Sequence, residues 1–499
     1  MHLDLTPRIG IKFLAACGRS RRVRSLTVAV RCNTPPALNR AREQADRTHY
    51  YRRLLGPALA AVGALAAAPS AIAQVTNLSS YQGPGILSRG AGDVGTRGGR
   101  PVDLRVYGGV SGIYDSSLQP FTTDANGNLV RVTDLYGIEL GFGAYGRRNF
   151  RRGQLGLDYR GDYRRYSSGT SFDGSDHALS LGYTYQSSRR VLLDLRESVG
   201  TLVMGNSPVA AGATGDPNSA LNPTSLFLDT RTNYLQSTAA MTWLQSATTS
   251  YSFSGDGFLQ DRSGLGVTNS WGYDLSGGVV RRVSKTVSIG GNYAHTHFEF
   301  PGFQSFSNSN AGHASFSALF ARNWTFSLKA GVVVVEVENQ VGIALDPFWA
   351  ALLHQKTLTG IAYFKNTFPS GAAGLKRQFQ RGDISFNYVR EVAAGNGTFN
   401  TSRRESIAAS ASYNGIRKVS LNFGGGYDTL VALGQGIGKY ADYSVSGGMT
   451  YNLAKTAYLT MRYDLRDQRI DVFDGYQHRG SRATVGVFFS PGRLPLSLW

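Results

Sequence analysis

Length, composition and charge exclude several classes of protein. The chain has 499 residues, with 52 Lys and Arg against 33 Asp and Glu, and two cysteines, Cys17 and Cys32. Beyond residue 73 no apolar run approaches the roughly 18 residues of a membrane-spanning helix, so any membrane crossing there would have to use strands. The positive excess could suggest nucleic acid as a partner, but the N-terminal signal described next argues against it.

The N-terminal region has the three parts of a secretory signal peptide. Arg52 and Arg53 precede an apolar run that ends in Ala71-Ile72-Ala73, a small-residue cleavage site. We predict a signal peptide over residues 50–73 with cleavage after Ala73; an uncleaved anchor is the alternative. Residues 1–49 are interpreted as a leader extension or a mis-assigned start. Residues 74–101, rich in Gly and Ser, are expected to form a flexible periplasmic segment.

From Val102 onward, apolar residues recur at every second position, as in Ile138, Leu140 and Phe142. This alternation predicts β-strands with one apolar and one polar face. Seventeen strands are clear; a weaker one at 357–366, followed by a longer turn at 367–382, makes the number even. The prediction for residues 102–499 is an all-β, single antiparallel up-and-down barrel of about 18 strands, with 16 as the alternative. Only residues 346–354 have a helical pattern.

The predicted connections alternate in length. Short ones lie at 146–153, 186–190, 245–250, 281–285, 321–323, 414–418 and 452–456. Long ones lie near 115–131, 166–176, 200–231, 261–268, 298–311, 336–357, 392–404, 429–440 and 468–479. Short turns on one rim and long loops on the other are typical of a bacterial outer-membrane barrel, whereas a soluble sandwich has no reason to segregate them. Many short turns are basic, which predicts contact with anionic lipid head groups.

The apolar face suits lipid better than a packed core. It contains many small residues, such as Gly161 and Ala239, where a sandwich core would need interlocking bulk. Aromatic residues on the same face lie beside the short turns or the end of the last strand, which predicts an aromatic girdle at one membrane interface. Its members are Tyr185, Trp243, Phe320, Tyr413, Tyr451 and Phe489.

These features resemble Gram-negative outer-membrane β-barrels of porin type. The last strand, 483–489, is similar to the assembly signal of such barrels, with Gly486 and terminal Phe489, but Pro491 follows and the chain continues to Trp499. The resemblance implies location in the bacterial outer membrane, contact with its lipid, and the barrel-assembly machinery as a partner during biogenesis. It leaves the oligomeric state open.

The polar face is predicted to line the lumen, with basic and acidic residues nearly balanced. A ladder of ion pairs that braces the wall and a track for a transported solute both fit this pattern. The predicted lining residues are Arg105, Glu139, Asp158, Arg160, Asp162, Arg164, Asp194, Arg196, Lys329, Arg462, Asp464 and Arg466.

A barrel of 16 to 18 strands is wide enough for an aqueous channel, whose selectivity depends on what narrows it. The resemblance to porins implies that the loop 200–231 folds into the lumen, with Asp216, Phe227 and Asp229 at the constriction. The loop 336–357, with Phe348 and Trp349, is a second candidate for constriction or surface capping.

The chain gives little support to an enzyme. His295 and His297 share one strand face, but His313 falls on the opposite parity, so a metal site is not expected. Neither catalytic residues nor a cofactor are predicted. The functional hypotheses are a passive channel for small solutes, a conduit for export of a polymer such as exopolysaccharide, and a structural or adhesive barrel whose lumen is blocked.

Overall fold

The computed structural model describes residues 102–116, 122–123, 129–130, 134–167, 173–202, 231–263, 268–321, 323–344, 357–395, 400–434, 438–471, 476–491 and 493–494. The predicted signal peptide (50–73), the segment 74–101 and the helix-like stretch 346–354 lie outside these residues. In the described part, no helix has the length and apolar character needed to cross a membrane.

Eighteen antiparallel strands form one closed barrel. They are β1 Val102–Ser116, β2 Leu135–Asn149, β3 Gly153–Tyr166, β4 Gly174–Gln186, β5 Val191–Leu202, β6 Arg231–Leu244, β7 Thr249–Ser263, β8 Ser270–Arg282, β9 Val287–Phe300, β10 Ser305–Phe320, β11 Trp324–Ala344, β12 Thr357–Phe379, β13 Gly382–Ala393, β14 Ser402–Tyr413, β15 Val419–Ala432, β16 Lys439–Asn452, β17 Ala457–Ile470 and β18 Tyr476–Phe489. Each strand pairs with its neighbours in sequence. β1 and β18 close the ring, with Gly108 opposite Phe489 and Ser116 opposite Ser481. The predicted fold and the number 18 are confirmed.

Tight turns collect at one end of the barrel, which we call the turn end; the opposite end is the loop end. The turn after β12 is the pair Gln380 and Arg381. The predicted longer turn at 367–382 is therefore wrong, because β12 continues to Phe379. Pro369 and the run of small residues at 370–374 concealed the alternation there.

At the loop end, two predicted loops are shorter than expected. The loop predicted at 298–311 is a single 3₁₀ turn, Pro301–Phe303, because β9 and β10 continue on either side of it. The loop predicted at 336–357 begins only after Ala344, because β11 and β12 form a hairpin that extends beyond their neighbours. Two short strands, Thr122–Thr123 and Leu129–Val130, form a small hairpin between β1 and β2.

The polar face of the sheet is the concave one. Arg482 Nη2 on β18 donates to Glu139 Oε2 on β2 at 2.6 Å, and Tyr166 on β3 donates to Asp115 on β1. Each contact passes over an intervening strand, which side chains can do only on the inside of the curve. The outward parity carries the large exposed apolar side chains, such as Val445 with 59% of its surface exposed. Glu197 departs from this apolar pattern; Ser237 Oγ donates to it at 2.9 Å.

The loop ends of β13 to β15 fold into the barrel. We call this region the flap and define it as residues 391–395, 400–404 and 430–434. Leu433 packs in a buried cluster with Val333, Val335, Val337 and Phe368 of the β11–β12 hairpin. The backbone N–H of Leu433 donates to the carbonyl of Thr401 at 2.8 Å, which joins two parts of the flap.

The flap also reaches the opposite wall. Ala394 packs against Phe258 on β7 and against Phe298 and Phe300 on β9. Thr401 Oγ1 donates to Ser307 Oγ on β10 at 2.7 Å. An apolar layer therefore lies inside the loop end of a barrel whose inner wall is otherwise largely polar.

Candidate functional site

The most buried charges form a cluster on the inner wall where the barrel closes, which we call the closure cluster. Arg164 Nη2 lies 2.5 Å from Asp176 and 3.4 Å from Asp162. Arg482 Nη2 lies 2.6 Å from Glu139, and its Nε lies 3.9 Å from Asp115. All these side chains are at most 3% exposed. Strand register brings them together, because Glu139 faces Arg164 across β2–β3 and Asp162 faces Asp176 across β3–β4.

Three further pairs of predicted lining residues lie two positions apart on one strand. Arg160 contacts Asp158 at 2.7 Å, Arg196 contacts Asp194 at 2.8 Å and Arg462 contacts Asp464 at 2.8 Å. Residues two apart in a strand point to the same face, so each arginine folds along the wall onto its own acid. Arg196 keeps 35% of its side-chain surface exposed, which makes this pair more accessible than the closure cluster.

The remaining predicted lining residues are placed separately. Arg466 bonds to Asp442 on the neighbouring strand at 2.8 Å. Arg105 is buried on the concave parity of β1, opposite Tyr145. Lys329 lies on the concave parity of β11, opposite Ser315 and Ala372.

Several inward acids and arginines were not predicted. Among them are Asp115, Asp176, Arg262, Glu391, Arg404, Asp428, Asp442 and Arg482. Arg404 joins Asp428 at 2.9 Å and Glu391 at 3.6 Å. Most of these residues lie in, or within two residues of, segments that were assigned to loops. Extending the two-residue alternation further into those segments would have found them.

The flap is the element that narrows the described part of the barrel, and it was not predicted as a constriction. The predicted constriction residues Asp216, Phe227 and Asp229 lie outside the described residues, as do Phe348 and Trp349. In the flap, the concave side carries Arg404 and Glu391, while the other side packs on the apolar layer.

The predicted girdle residues lie at or within two positions of the strand ends at the turn end, on the outward parity. Trp243, Phe320, Tyr413 and Phe489 are each between 42% and 55% exposed. Trp243 stacks on Tyr251 with 5.3 Å between ring centroids, and Phe320 stacks on Trp324 at 6.0 Å.

The histidines stay apart in the structure. His295 bonds to Asn310 and His297 to Asn308 on the outward parity, while His313 bonds to Ser370 on the concave parity. Among the residues that the structure describes, no group of His, Cys, Asp and Glu has the arrangement of a metal site.

The closed ring of consecutive antiparallel strands, with its charged concave face, decides the architecture. The chain is a closed, 18-stranded antiparallel β-barrel. The scan against protein-family models gives no match, and the comparison with curated proteins gives none either.

Solved structures similar to this barrel include three bacterial proteins. OpdQ of Pseudomonas aeruginosa is 11% identical, with 79% of this chain and 98% of that chain covered and a TM-score of 0.38. OccAB3 of Acinetobacter baumannii is 12% identical, with coverage of 78% and 99% and a TM-score of 0.36. OccK2 of P. aeruginosa, solved with glucuronate, is 10% identical, with coverage of 78% and 98% and a TM-score of 0.38. Likeness of this degree carries no argument about what the present chain does.

Proposed function

We propose that this barrel is a bacterial outer-membrane channel for the passive diffusion of small polar solutes. The observation that carries the proposal is the closed 18-stranded ring with an exposed apolar outer face and a charged inner wall. A soluble protein of this size would bury such an apolar face, whereas lipid covers it at no cost. The signal peptide predicted over residues 50–73 agrees with export to that membrane.

Residues at the turn end also support a location in the outer membrane. The outward tyrosines and tryptophan there have the amphipathic rings that favour a membrane–water interface. Exposed arginines such as Arg151, Arg152, Arg189 and Arg190 lie in the adjacent turns, where they can bind anionic lipid head groups. Short turns face the periplasm in barrels of this class, so the loop end and its flap face outward from the cell.

The inner wall favours polar solutes over apolar ones but pairs most of its charges internally. Arg160, Arg196 and Arg462 each lie against an acid of the same strand, so their fields largely cancel at a distance. We therefore propose weak ion selectivity. The partly exposed Arg196–Asp194 pair is the place where one substitution should change that selectivity most cleanly.

Conductance in a planar lipid bilayer tests the proposal. The refolded barrel, verified by heat-modifiable migration on a gel, should give stepwise currents. Arg196→Gln leaves Asp194 as an uncompensated inner charge, so the reversal potential in a salt gradient should move toward cation preference. Arg189→Gln, in an exposed turn, is the matched control and should leave the reversal potential unchanged. A heat-modifiable barrel that never conducts would overturn the proposal that the protein is a channel.

A structural barrel without transport is the second candidate. It is favoured by the flap across the loop end and by the burial of Arg164 and Arg482, at 0% and 1% side-chain exposure. If the protein is a structural barrel, neither the native barrel nor a variant with a displaced flap conducts. The bilayer experiment therefore separates the two candidates.

A further inference from the structure

One gap interrupts hydrogen bonding around the wall. The ladder between β12 and β13 runs from Phe379 opposite Gly382 to Gly371 opposite Arg390. β12 continues in the ladder with β11 as far as Thr357, but within the described residues its part beyond Gly371 has no ladder partner on β13. Pro369, which has no N–H to donate, lies two residues past the last pair. We call this gap the seam.

At the seam, the flap lies against the inner side of the β11–β12 hairpin. Val392 and Arg403 face each other across β13–β14 and have the same parity as the lipid-side residues Phe386 and Ile407. Phe368 faces Val333 on the concave parity of the β11–β12 hairpin. Val392 nevertheless packs against the cluster that contains Phe368, and the Arg403 guanidinium lies 5.9 Å from the Phe368 ring centroid. The outward side of the flap therefore touches the inward side of the hairpin.

The contacts across the seam are between side chains, most of them apolar. Along the ladders between the described strands, opening the wall would leave backbone N–H and C=O groups unpaired next to lipid, which costs several kcal/mol per group. At the seam, apolar side chains such as Val335 and Leu433 lie between the two walls. An acyl chain can replace those contacts with equivalent ones, because lipid tails are as apolar as the side chains that they would displace.

Polar groups lie on the outward side at the foot of the seam. Arg390 pairs with Glu405 in the β13–β14 register, and Tyr388 Oη donates to Glu405 Oε1 at 2.8 Å. The Nε of Arg390 is buried and has no hydrogen-bond partner among the described residues. Arg403 is the next outward residue along β14. Two arginines against one glutamate leave a net positive charge beside the apolar contact between the flap and the hairpin.

We propose that the seam is a lateral binding site for an amphiphile with an apolar tail and an anionic head group. The tail lies between Phe368 and Val335 of the hairpin and Val392 and Leu433 of the flap. The head group lies at the foot of the seam, where Arg390 and Arg403 supply the positive charge. The site opens toward the outer face of the barrel, and this inference rests on the proposed membrane location.

A fluorescent label at a single cysteine tests the site, because the chain contains no cysteine beyond residue 73. Phe368→Cys is labelled in barrels reconstituted into phosphatidylcholine vesicles, and a brominated fatty acid is added as the quencher. Quenching should be saturable. Arg390→Gln in the same background should raise the half-quenching concentration about tenfold, the loss expected for one charge-assisted contact.

Two labelled controls make the outcome decisive. Phe386→Cys, on the lipid side of β13, should be quenched without saturation, whereas Phe258→Cys, on the far wall under the flap, should stay bright. An unquenched Phe368 label beside a quenched Phe386 label overturns the seam site alone. Quenching at residue 368 that Arg390→Gln leaves unchanged overturns the head-group role. An unquenched Phe386 label in a heat-modifiable barrel overturns the membrane location as well.

Discussion

Buried ion pairs in the closure cluster differ in energy from the pairs at the surface. Arg164 and Asp176 have side chains with 0% exposure, so neither charge can recover its hydration if the other is removed. The Coulomb attraction of such a pair barely exceeds the cost of taking both charges out of water. Loss of one partner is therefore costly, although the intact pair contributes little net stability.

Asp176→Asn is predicted to lower the free energy of unfolding by about 1–3 kcal/mol, because it replaces the shortest buried ion pair of Arg164 by a neutral contact and leaves only the more distant Asp162 and Glu139. Urea titration of the barrel in lipid vesicles measures the change. Glu336→Gln is the control, because its pair with Lys365 is exposed and should hardly affect the unfolding transition. Equal shifts in both variants would contradict the prediction.

At the scale of elements, the flap is held to the far walls mainly by side chains. The contact of Leu433 with three valines of β11 is worth about 1.5–3 kcal/mol as buried apolar surface. Gly434 beside it has a φ of +86°, and an added Cβ would lie 2.9 Å from Asn339 Nδ2, so the turn requires glycine. The flap can therefore move if its apolar anchor is removed, without loss of a strand ladder.

Leu433→Asp is predicted to displace the flap, because a buried carboxylate costs more than the apolar contact supplied. The expected result is a higher single-channel conductance in a planar bilayer with unchanged heat-modifiable migration. Leu453→Asp, in an exposed turn at the opposite end, is the matched control and should conduct like the native barrel. Identical conductance in all three proteins would show that the flap does not limit the current.

The flap is a part of the fold that the sequence pattern could not predict. Alternation assigned the lining residues Asp158 to Arg164 to one parity and the girdle residues to the other, because a strand period of two needs no tertiary information. It could not show that the outward parity at Val392 and Arg403 turns beneath another wall. That arrangement depends on where the β12–β13 ladder stops, and ladder length is a property of two strands together. For the same reason, the acids at strand ends were assigned to loops.

At the scale of the whole molecule, the exposed apolar face gives a test that depends on depth. Leu328→Arg, four residues from the turn end of β11 and facing outward, is predicted to cost about 2–4 kcal/mol in a bilayer. Val283→Arg, in the turn between β8 and β9, should cost about 0–1 kcal/mol, because it lies at the interface. Urea unfolding in vesicles measures both. In a water-exposed barrel the two substitutions would have similar, small effects.

The position of Arg482 has a consequence for the order of assembly. Among the described residues, every strand pairing except those that β1 makes with β18 and with Arg493–Leu494 joins sequence neighbours, so a growing sheet can form hairpin by hairpin at a low entropic cost of loop closure. Glu139 and Asp115 lie close to Asp162 and Asp176 from the first hairpins onward. The second arginine of this cluster, Arg482, lies on the last strand, 343 residues away from Glu139. Before β18 pairs with β1, this cluster holds four acids against one arginine, Arg164. Arg482 on β18 reduces the excess of negative charge in this cluster from three to two, so its ion pairs favour the single step that turns an open sheet into a ring.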